Sequence, residues 1–137
     1  MEELCVPAEL EQLDRVLGFI AGKLDAAGCE EQTKLQIMTA AEEIFTNIFN
    51  YAYPPKKGMA TIRIGIDGKP AVAQIEMIDQ GVPYDPLQQK DPDITLSAEE
   101  RSIGGLGIFM VKQTMDEVSY RYENTSNILT IRKMIGR

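Results

Sequence analysis

Residues 59–79 read MATIRIGIDGKPAVAQIEMID, and this stretch decides the fold. Its first half alternates apolar and polar side chains with a period of two, which predicts a strand with one buried face. A turn-forming Asp-Gly-Lys-Pro sequence follows at 67–70. The second half, 71–78, can pair back on the first as another strand, with Asp79 at its end. The stretch therefore predicts an antiparallel hairpin.

Two helices are predicted before this hairpin, after a short edge strand at 3–6. Leucine and isoleucine recur at helical spacing from about residue 8 to residue 26, and Gly28 ends that helix. The second helix begins near residue 30, where two glutamates favour the positive end of the helix dipole. It continues through Phe49, after which a Tyr-Pro-Pro sequence stops it.

The chain after the hairpin predicts a long loop, a helix and a second hairpin. Residues 80 to about 103 carry three prolines and no clear period, so we expect a functional loop with one helical turn at 97–101. A buried helix is predicted at 107–115, followed by strands at 118–123 and 128–134 around a four-residue turn. This order of elements predicts an α+β fold, a two-layer sandwich of helices packed on one face of a mostly antiparallel sheet.

Length and composition are those of one globular domain spanning 1–137, with 44% hydrophobic and 26% charged residues. Charged or amide side chains interrupt every apolar stretch, so we expect no membrane span, no signal peptide and a cytoplasmic location. The net charge of −7 argues against a nucleic-acid partner. A single nucleotide remains possible, because backbone amides, a helix N-terminus and Mg²⁺ can supply positive field locally.

Histidine is absent from the chain, which excludes His-assisted nucleophiles, His-ligated zinc and autophosphorylation on histidine. Cys5 and Cys29 are far apart in sequence and lack the paired spacing of a zinc or redox motif. We interpret both as buried or incidental thiols.

A polar stripe runs along the second predicted helix, opposite its apolar arc. It consists of amides, one hydroxyl and one carboxylate, on Gln36, Thr39, Glu43, Asn47 and Asn50. A solvent-exposed helix face usually carries Lys, Glu and Arg, so this composition favours a polar pocket. An ordinary exposed face is the alternative interpretation.

Two glycine-containing segments are the other candidate pieces of a site. In Asp79-Gln80-Gly81 an acidic acceptor ends a strand and a glycine permits close backbone approach, although the same residues also make an ordinary turn. The segment 102–107 contains three glycines and leads directly into an apolar helix. Free backbone amides at the N-terminus of that helix can bind an anion. Each segment alone is weak evidence for a nucleotide site.

Taken together and in order, three motifs are specific: Glu43-x-x-x-Asn47, Asp79-x-Gly81 and Gly104-Gly105-x-Gly107. They resemble the three ATP-site boxes of the superfamily of gyrase, heat-shock chaperone, histidine kinase and mismatch-repair ATPases. Within it, the chain is similar to the anti-sigma-factor serine/threonine kinases over nearly its whole length, most closely at 41–53 and 104–118. The resemblance implies the Bergerat-type ATPase fold.

The resemblance also implies roles for individual residues. Asn47 would bind Mg²⁺ through its side-chain oxygen, and Glu43, one turn earlier, would be the general base. Asp79 would accept the adenine amino group, with Gly81 letting the purine lie close to the backbone. Thr130 resembles the family threonine behind the adenine, although an exposed strand threonine is an equal alternative.

The same resemblance assigns the phosphates to the glycine loop: Gly104, Gly105, Leu106 and Gly107. The segment 82–103 would be the ATP lid. Arg101 is the nearest strong cation for the terminal phosphate, or else it pairs with a neighbouring glutamate as a solvated charge. The family often has histidine where Tyr51 stands, so we expect Tyr51 to serve in packing.

The function implied by the resemblance is that of an ATP-dependent anti-sigma factor. Such a protein binds a sigma factor and uses Mg-ATP to phosphorylate a serine of an anti-anti-sigma (STAS-domain) protein. Members of the family are usually dimers, so the resemblance also predicts a homodimer. One alternative is a nucleotide-gated protein-binding module without kinase activity. Another is a detached histidine-kinase catalytic domain, which could act only on a histidine supplied by another chain. The phosphoacceptor helix pair usual for such kinases is missing from this sequence.

Overall fold

The computed structural model describes residues 1–88 and 106–136. The strands are β1 (Glu2–Pro7), β2 (Met59–Asp67), β3 (Val72–Asp79), β4 (Glu117–Glu123) and β5 (Ser126–Met134). The α-helices are α1 (Leu13–Ala26), α2 (Glu31–Asn47) and α3 (Leu106–Thr114). Short 3-10 helices lie at Leu10–Gln12 and Pro86–Gln88, and a π-helical turn spans Ile48–Ala52.

The strands form one antiparallel sheet in the order β1-β2-β3-β5-β4. Alternate strand residues such as Ile62, Ile75 and Ile131 are buried in one core together with the apolar sides of the helices. The other face of the sheet is polar, and there Arg63 Nε donates to Glu3 Oε1 at 2.7 Å. The predicted α+β fold is therefore confirmed. Within the described ranges, no helix has the length and apolar character needed to cross a membrane.

The first helix begins later than its leucine pattern predicts. The amide of Ala8 donates to the carbonyl of Gly58 at 2.9 Å, and Glu9 has extended backbone angles. These residues therefore continue the connection from β1, and regular α-helix starts only at Leu13, after one 3-10 turn. The predicted start near residue 8 was wrong because a sheet contact holds the backbone there. The predicted end at Gly28 is confirmed by its positive φ of 73°.

The second helix changes geometry at its end. It was predicted to run through Phe49, but the α-helix ends at Asn47 and a π-helical turn carries the chain on to Ala52. The hydroxyl of Tyr53 then accepts a hydrogen bond from the amide of Gln80 at 2.8 Å and donates to the carbonyl of Met59 at 2.6 Å. One tyrosine thus fastens the end of this helical segment to the sheet beside the end of β3.

The hairpin between β4 and β5 is tighter than predicted. Its turn has two residues, Asn124 and Thr125, with φ of 53° and 60°, in place of the predicted four. Such paired positive angles are those of the type I′ turn, whose twist matches that of the flanking strands. Asn127 consequently belongs to β5, where it pairs with Asp79 on β3. This placement brings a buried amide to the candidate site.

Candidate functional site

A small, partly open cavity lies where the end of α2 meets the ends of β3 and β5. Its volume is about 30 Å³, and its polar wall is formed by Asn47, Asp79 and Asn127. Val82 and Tyr84, from the segment after β3, also line it. Helix and sheet residues predicted from separate motifs therefore converge on one space.

Asp79 is only 5% exposed as a residue. Its Oδ1 accepts hydrogen bonds from Asn127 Nδ2 and from the amide of Gly81, both at 2.9 Å. Burial raises the pKa of Asp79, and these two hydrogen bonds oppose the rise. Its Oδ2 receives no hydrogen bond from any residue that the structure describes. That oxygen is therefore available as an acceptor for a ligand.

Asn47 reaches the same cavity from the last turn of α2. Its Nδ2 is buried and has no hydrogen-bond partner within 1–88 and 106–136. Leaving a buried amide donor unpaired costs about 1–3 kcal/mol, so native structures rarely tolerate it without a reason. A ligand at this point would supply the missing partner.

Glu43 lies one helical turn before Asn47 and borders a second, larger space between α2 and α3. This groove measures about 650 Å³, and Gly107 lies on its other side. A Cβ on Gly107 would overlap the carboxyl group of Glu43, so the two residues are in direct contact. Burial is the main cause that raises the pKa of Glu43, and the charge of Glu42 adds to the effect. The structure thus joins two of the predicted motifs.

Gly81 has a packing role that its motif alone does not reveal. A Cβ at this position would overlap the backbone carbonyl of Ala52, and the amide of Val82 donates to the same carbonyl at 2.9 Å. The turn after Asp79 therefore rests on the π-helical turn. Only glycine allows so close an approach without moving the backbone.

Thr130 does not lie beside Asp79 and Asn47, so the prediction that it lies behind the adenine was wrong. It pairs with Glu76 and Ser119, and it lies three positions after Asn127 in an unbroken strand. Because successive strand residues point to opposite faces, Thr130 lies on the polar side of the sheet, away from Asp79. It is buried there, and its Oγ1 has no hydrogen-bond partner among the described residues.

Several predicted residues lie outside the described ranges. They are Arg101, Gly104, Gly105, the lid residues 89–103 and the helical turn at 97–101. Leu106 is the first residue of α3. Tyr51 is half exposed, and its ring centroid lies 5.3 Å from that of Tyr84. Tyr51 therefore packs against a wall residue of the cavity, as predicted.

Asn127 is the site residue that the sequence-based predictions missed. The run 124–127 contains Asn, Thr, Ser and Asn, and all four were assigned to the turn. The signal that could have identified it is the preference of hairpins for two-residue turns with asparagine at a positive φ. A two-residue turn at 124–125 places Asn127 inside the strand.

Comparisons with known proteins bear on the family and the fold. The profile of the histidine kinase-like ATPase domain matches residues 6–133. The serine-protein kinase RsbW of Bacillus subtilis (strain 168) is 28% identical over 134 residues, which cover 92% of this chain and 79% of that protein. The serine/threonine-protein kinase BtrW of Bordetella bronchiseptica is 26% identical over 98 residues, covering 72% of this chain and 68% of the relative.

The fold also matches a solved structure. All of this chain superimposes on the crystal structure of the RsbU and RsbW domains of Rv1364c from Mycobacterium tuberculosis, with a TM-score of 0.64 and 13% identity. The chain spans 33% of that crystallised chain, and at this identity the match bears on the fold alone. The profile match covers most of the sequence and confirms the resemblance that the three motifs indicated. The chain belongs to the family of histidine kinase-like ATPase domains.

Proposed function

We propose that this protein is an ATP-dependent anti-sigma factor with serine kinase activity. It binds Mg-ATP at the cavity bordered by Asn47 and Asp79, and it transfers the terminal phosphate to a serine of a STAS-domain anti-anti-sigma protein. It also binds a sigma factor and withholds it from transcription, as a homodimer in the cytoplasm.

One observation carries the nucleotide part of this proposal. Asn47 and Asp79 come from different motifs, yet they line the same cavity, and each has a polar side-chain atom without a protein partner in the described part of the chain. A ligand with both donors and acceptors satisfies the two sites together. An adenine nucleotide meets this need, because its amino group can donate to Asp79 while its phosphate end lies toward Asn47.

The residues present also fit a magnesium ion. The amide oxygen of Asn47 is a hard ligand of the kind that Mg²⁺ accepts, and the residues that the structure describes include no cluster of three acidic, histidine or cysteine side chains. A single protein ligand is typical where phosphates and water complete an octahedral shell. When bound, the ion would neutralise charge on the transferring phosphate.

Glu43 is the candidate base for the transfer. Its carboxylate can take the proton of the acceptor serine while the serine oxygen forms a bond to the terminal phosphorus. The bond between that phosphorus and the bridging oxygen breaks, and ADP leaves with the electron pair. The raised pKa makes Glu43 a stronger proton acceptor than an ordinary glutamate. The groove of about 650 Å³ beside Glu43 offers space from which a hydroxyl could approach.

The names of the relatives support serine kinase activity. Two similar proteins are named as a serine-protein kinase and a serine/threonine-protein kinase. The STAS-domain substrate and the sigma factor come from the resemblance to anti-sigma-factor kinases. The proposed kinase and the nucleotide-gated binding module differ in one step, the transfer of phosphate to the protein substrate.

A titration of the purified protein with ATP and ADP, with and without Mg²⁺, tests the binding step. We expect Asp79→Asn to weaken binding at least about tenfold, since an amide in that place can turn a donor toward the adenine amino group. Thr130→Val is the matched control, because it changes a buried residue on the opposite sheet face. If Asp79→Asn binds ATP as tightly as the unsubstituted protein, Asp79 is not the acceptor of the adenine amino group.

Incubation with radiolabelled ATP and candidate STAS-domain proteins tests the transfer step. Transfer by the unsubstituted protein that disappears in Glu43→Gln, with partner binding retained, would support the kinase. Nucleotide-dependent partner binding without any transfer would replace the kinase with the nucleotide-gated module.

A further inference from the structure

Asn127 uses its whole side-chain amide inside the candidate site. Nδ2 donates to Asp79 Oδ1 and to the carbonyl of Val82, both at 2.9 Å. Oδ1 accepts from the amide of Tyr84 at 3.1 Å and from the hydroxyl of Tyr120. An asparagine side chain offers two donor hydrogens and two acceptor lone pairs, so its capacity is fully used. The residue is 6% exposed, and such a buried network fixes a single arrangement.

The bond to Asp79 decides which carboxylate oxygen is free. Asn127 and the amide of Gly81 both donate to Oδ1. Within the described residues this leaves Oδ2 without a donor. If Asn127 were apolar, the carboxylate could rotate and offer either oxygen. Asn127 therefore orients the Asp79 carboxylate, which is proposed to accept a hydrogen bond from the adenine amino group.

The bonds to Val82 and Tyr84 hold one wall of the cavity. Residues 82, 84 and 86 line it from the segment that follows β3, which we call the wall segment 82–86. Ligand pockets generally measure about 300–1,000 Å³, whereas this cavity measures about 30 Å³. A purine can enter only after part of the lining moves. The wall segment belongs to neither a strand nor an α-helix, so it can move without breaking the sheet.

We propose that Asn127 is a positioning residue that links base recognition to opening of the cavity. The same amide orients Asp79 and fastens the wall segment 82–86, so nucleotide entry requires the release of Val82 and Tyr84 from Asn127. The base-recognition half of this proposal rests on the proposed ATP site. The fastening half concerns the free protein and can be tested without nucleotide.

Asn127→Thr separates the two tasks. A threonine hydroxyl can donate one hydrogen bond to Asp79, but it cannot also bridge the carbonyl of Val82 and the amide of Tyr84. Threonine also suits a strand. In the free protein, we expect amide hydrogen exchange at residues 82–88 to be at least about tenfold faster than in the unsubstituted protein, because the lost hydrogen bonds stabilise the closed wall. ATP affinity should not fall and should rise by up to the same factor, because the closed wall opposes nucleotide entry less strongly.

The rate of ATP entry gives a second measurement. The protein has no tryptophan, so Tyr51→Trp, beside Tyr84, introduces a single reporter for stopped-flow fluorescence. In this background we expect Asn127→Thr to raise the association rate at least about threefold. A purely structural role for Asn127 would lower the melting temperature without accelerating entry.

Asn127→Leu removes both tasks while keeping the number and branching of the side-chain heavy atoms. We expect ATP affinity to fall at least about tenfold. Discrimination between ATP and inosine triphosphate, which has a carbonyl in place of the amino group, should fall in parallel. The conservative Asn127→Thr should retain that discrimination.

Thr130→Val controls for a buried change on the same strand, and circular dichroism melting checks that every variant is folded. If folded Asn127→Thr and Asn127→Leu leave hydrogen exchange at 82–88 unchanged, the fastening role is overturned. If Asn127→Leu leaves the ATP to inosine triphosphate ratio unchanged, the orienting role is overturned. Failure of the unsubstituted protein to bind ATP would overturn the proposed function instead, and the exchange measurement would still decide on the fastening.

Discussion

The carboxyl group of Glu43 lies directly against the α-carbon of Gly107, so that a methyl group built on that carbon would overlap both carboxyl oxygens. The contact joins α2 to the first turn of α3. The position of the candidate base is therefore set by the absence of a side chain on the neighbouring helix.

Gly107→Ala should separate activity from stability. The three atoms nearest the added methyl group all belong to the far end of the flexible Glu43 side chain, so Glu43 can rotate away at little cost. Alanine also favours a helix over glycine by about 0.5–1 kcal/mol. We expect a melting temperature that is unchanged or higher, together with loss of most phosphotransfer to a STAS-domain substrate. Full activity in this variant would show that the observed position of Glu43 does not matter for transfer.

Gly81→Ala should behave in the opposite way. Its methyl group would meet the backbone carbonyl of Ala52, which cannot rotate away and already accepts the amide of Val82. We expect a loss of about 1–3 kcal/mol in the free energy of unfolding, measured by urea denaturation, as for other overpacked sites. Gly18→Ala is the matched control, because a Cβ there meets nothing within 4 Å.

Glu43→Gln should make stability less dependent on pH. Burial raises the pKa of Glu43 in the folded protein, so the protonated form favours folding. That contribution is fully present below about pH 4.5, the ordinary value for glutamate, and it is lost as the pH rises through the raised value. We therefore expect the variant to be more stable than the unsubstituted protein at pH 7, by less than about 1 kcal/mol because solvent screens this partly exposed group.

Melting curves from pH 4 to pH 8 measure this difference, which should shrink toward zero at the acidic end. The same substitution should reduce phosphotransfer at least about a hundredfold, because a glutamine accepts no proton. A variant that is less stable at pH 7 would contradict the assigned cause of the raised pKa.

Asn47→Leu should raise stability and abolish the effect of magnesium. The change removes a buried donor that has no partner in the described ranges, so we expect a gain of about 1 kcal/mol in the free energy of unfolding. Calorimetric titration should show that Mg²⁺ no longer strengthens ATP binding. If Mg²⁺ still increases the affinity as it does in the unsubstituted protein, Asn47 is not its ligand.

Most of the fold could be predicted because its signals are local. The alternation before Asp67 and the turn residues after it define β2 and β3, and the leucine spacing defines α1. The start of α1 could not be predicted, since the bond from Ala8 to Gly58 joins residues fifty positions apart. The π-helical turn likewise depends on where Tyr53 finds its partners.

The site was predictable in part for a related reason. Glu43 and Asn47 share a helix face by simple rotation, and Asp79 ends a strand, but only the resemblance of the three motifs to a known family predicted that these segments meet. The face of β5 did not follow, because apolar residues at 128, 129 and 131 occur on both sides of that strand. The alternation pattern therefore does not show which side of β5 faces the helices. The structure shows a turn two residues shorter than predicted, which places Asn127 in β5 opposite Asp79.

The π-helical turn Ile48–Ala52 makes the candidate site sensitive to chain length. Its hydrogen-bond ring holds one residue more than that of an α-helix, and the carbonyl at its end receives the amide of Val82. Deleting one residue there would favour ordinary α-helix and rotate everything beyond it by about 100°. The carbonyl would then leave Gly81 and Val82, whatever side chains remained. A related protein with a shorter link at this point would need another support beneath its Asp-x-Gly turn.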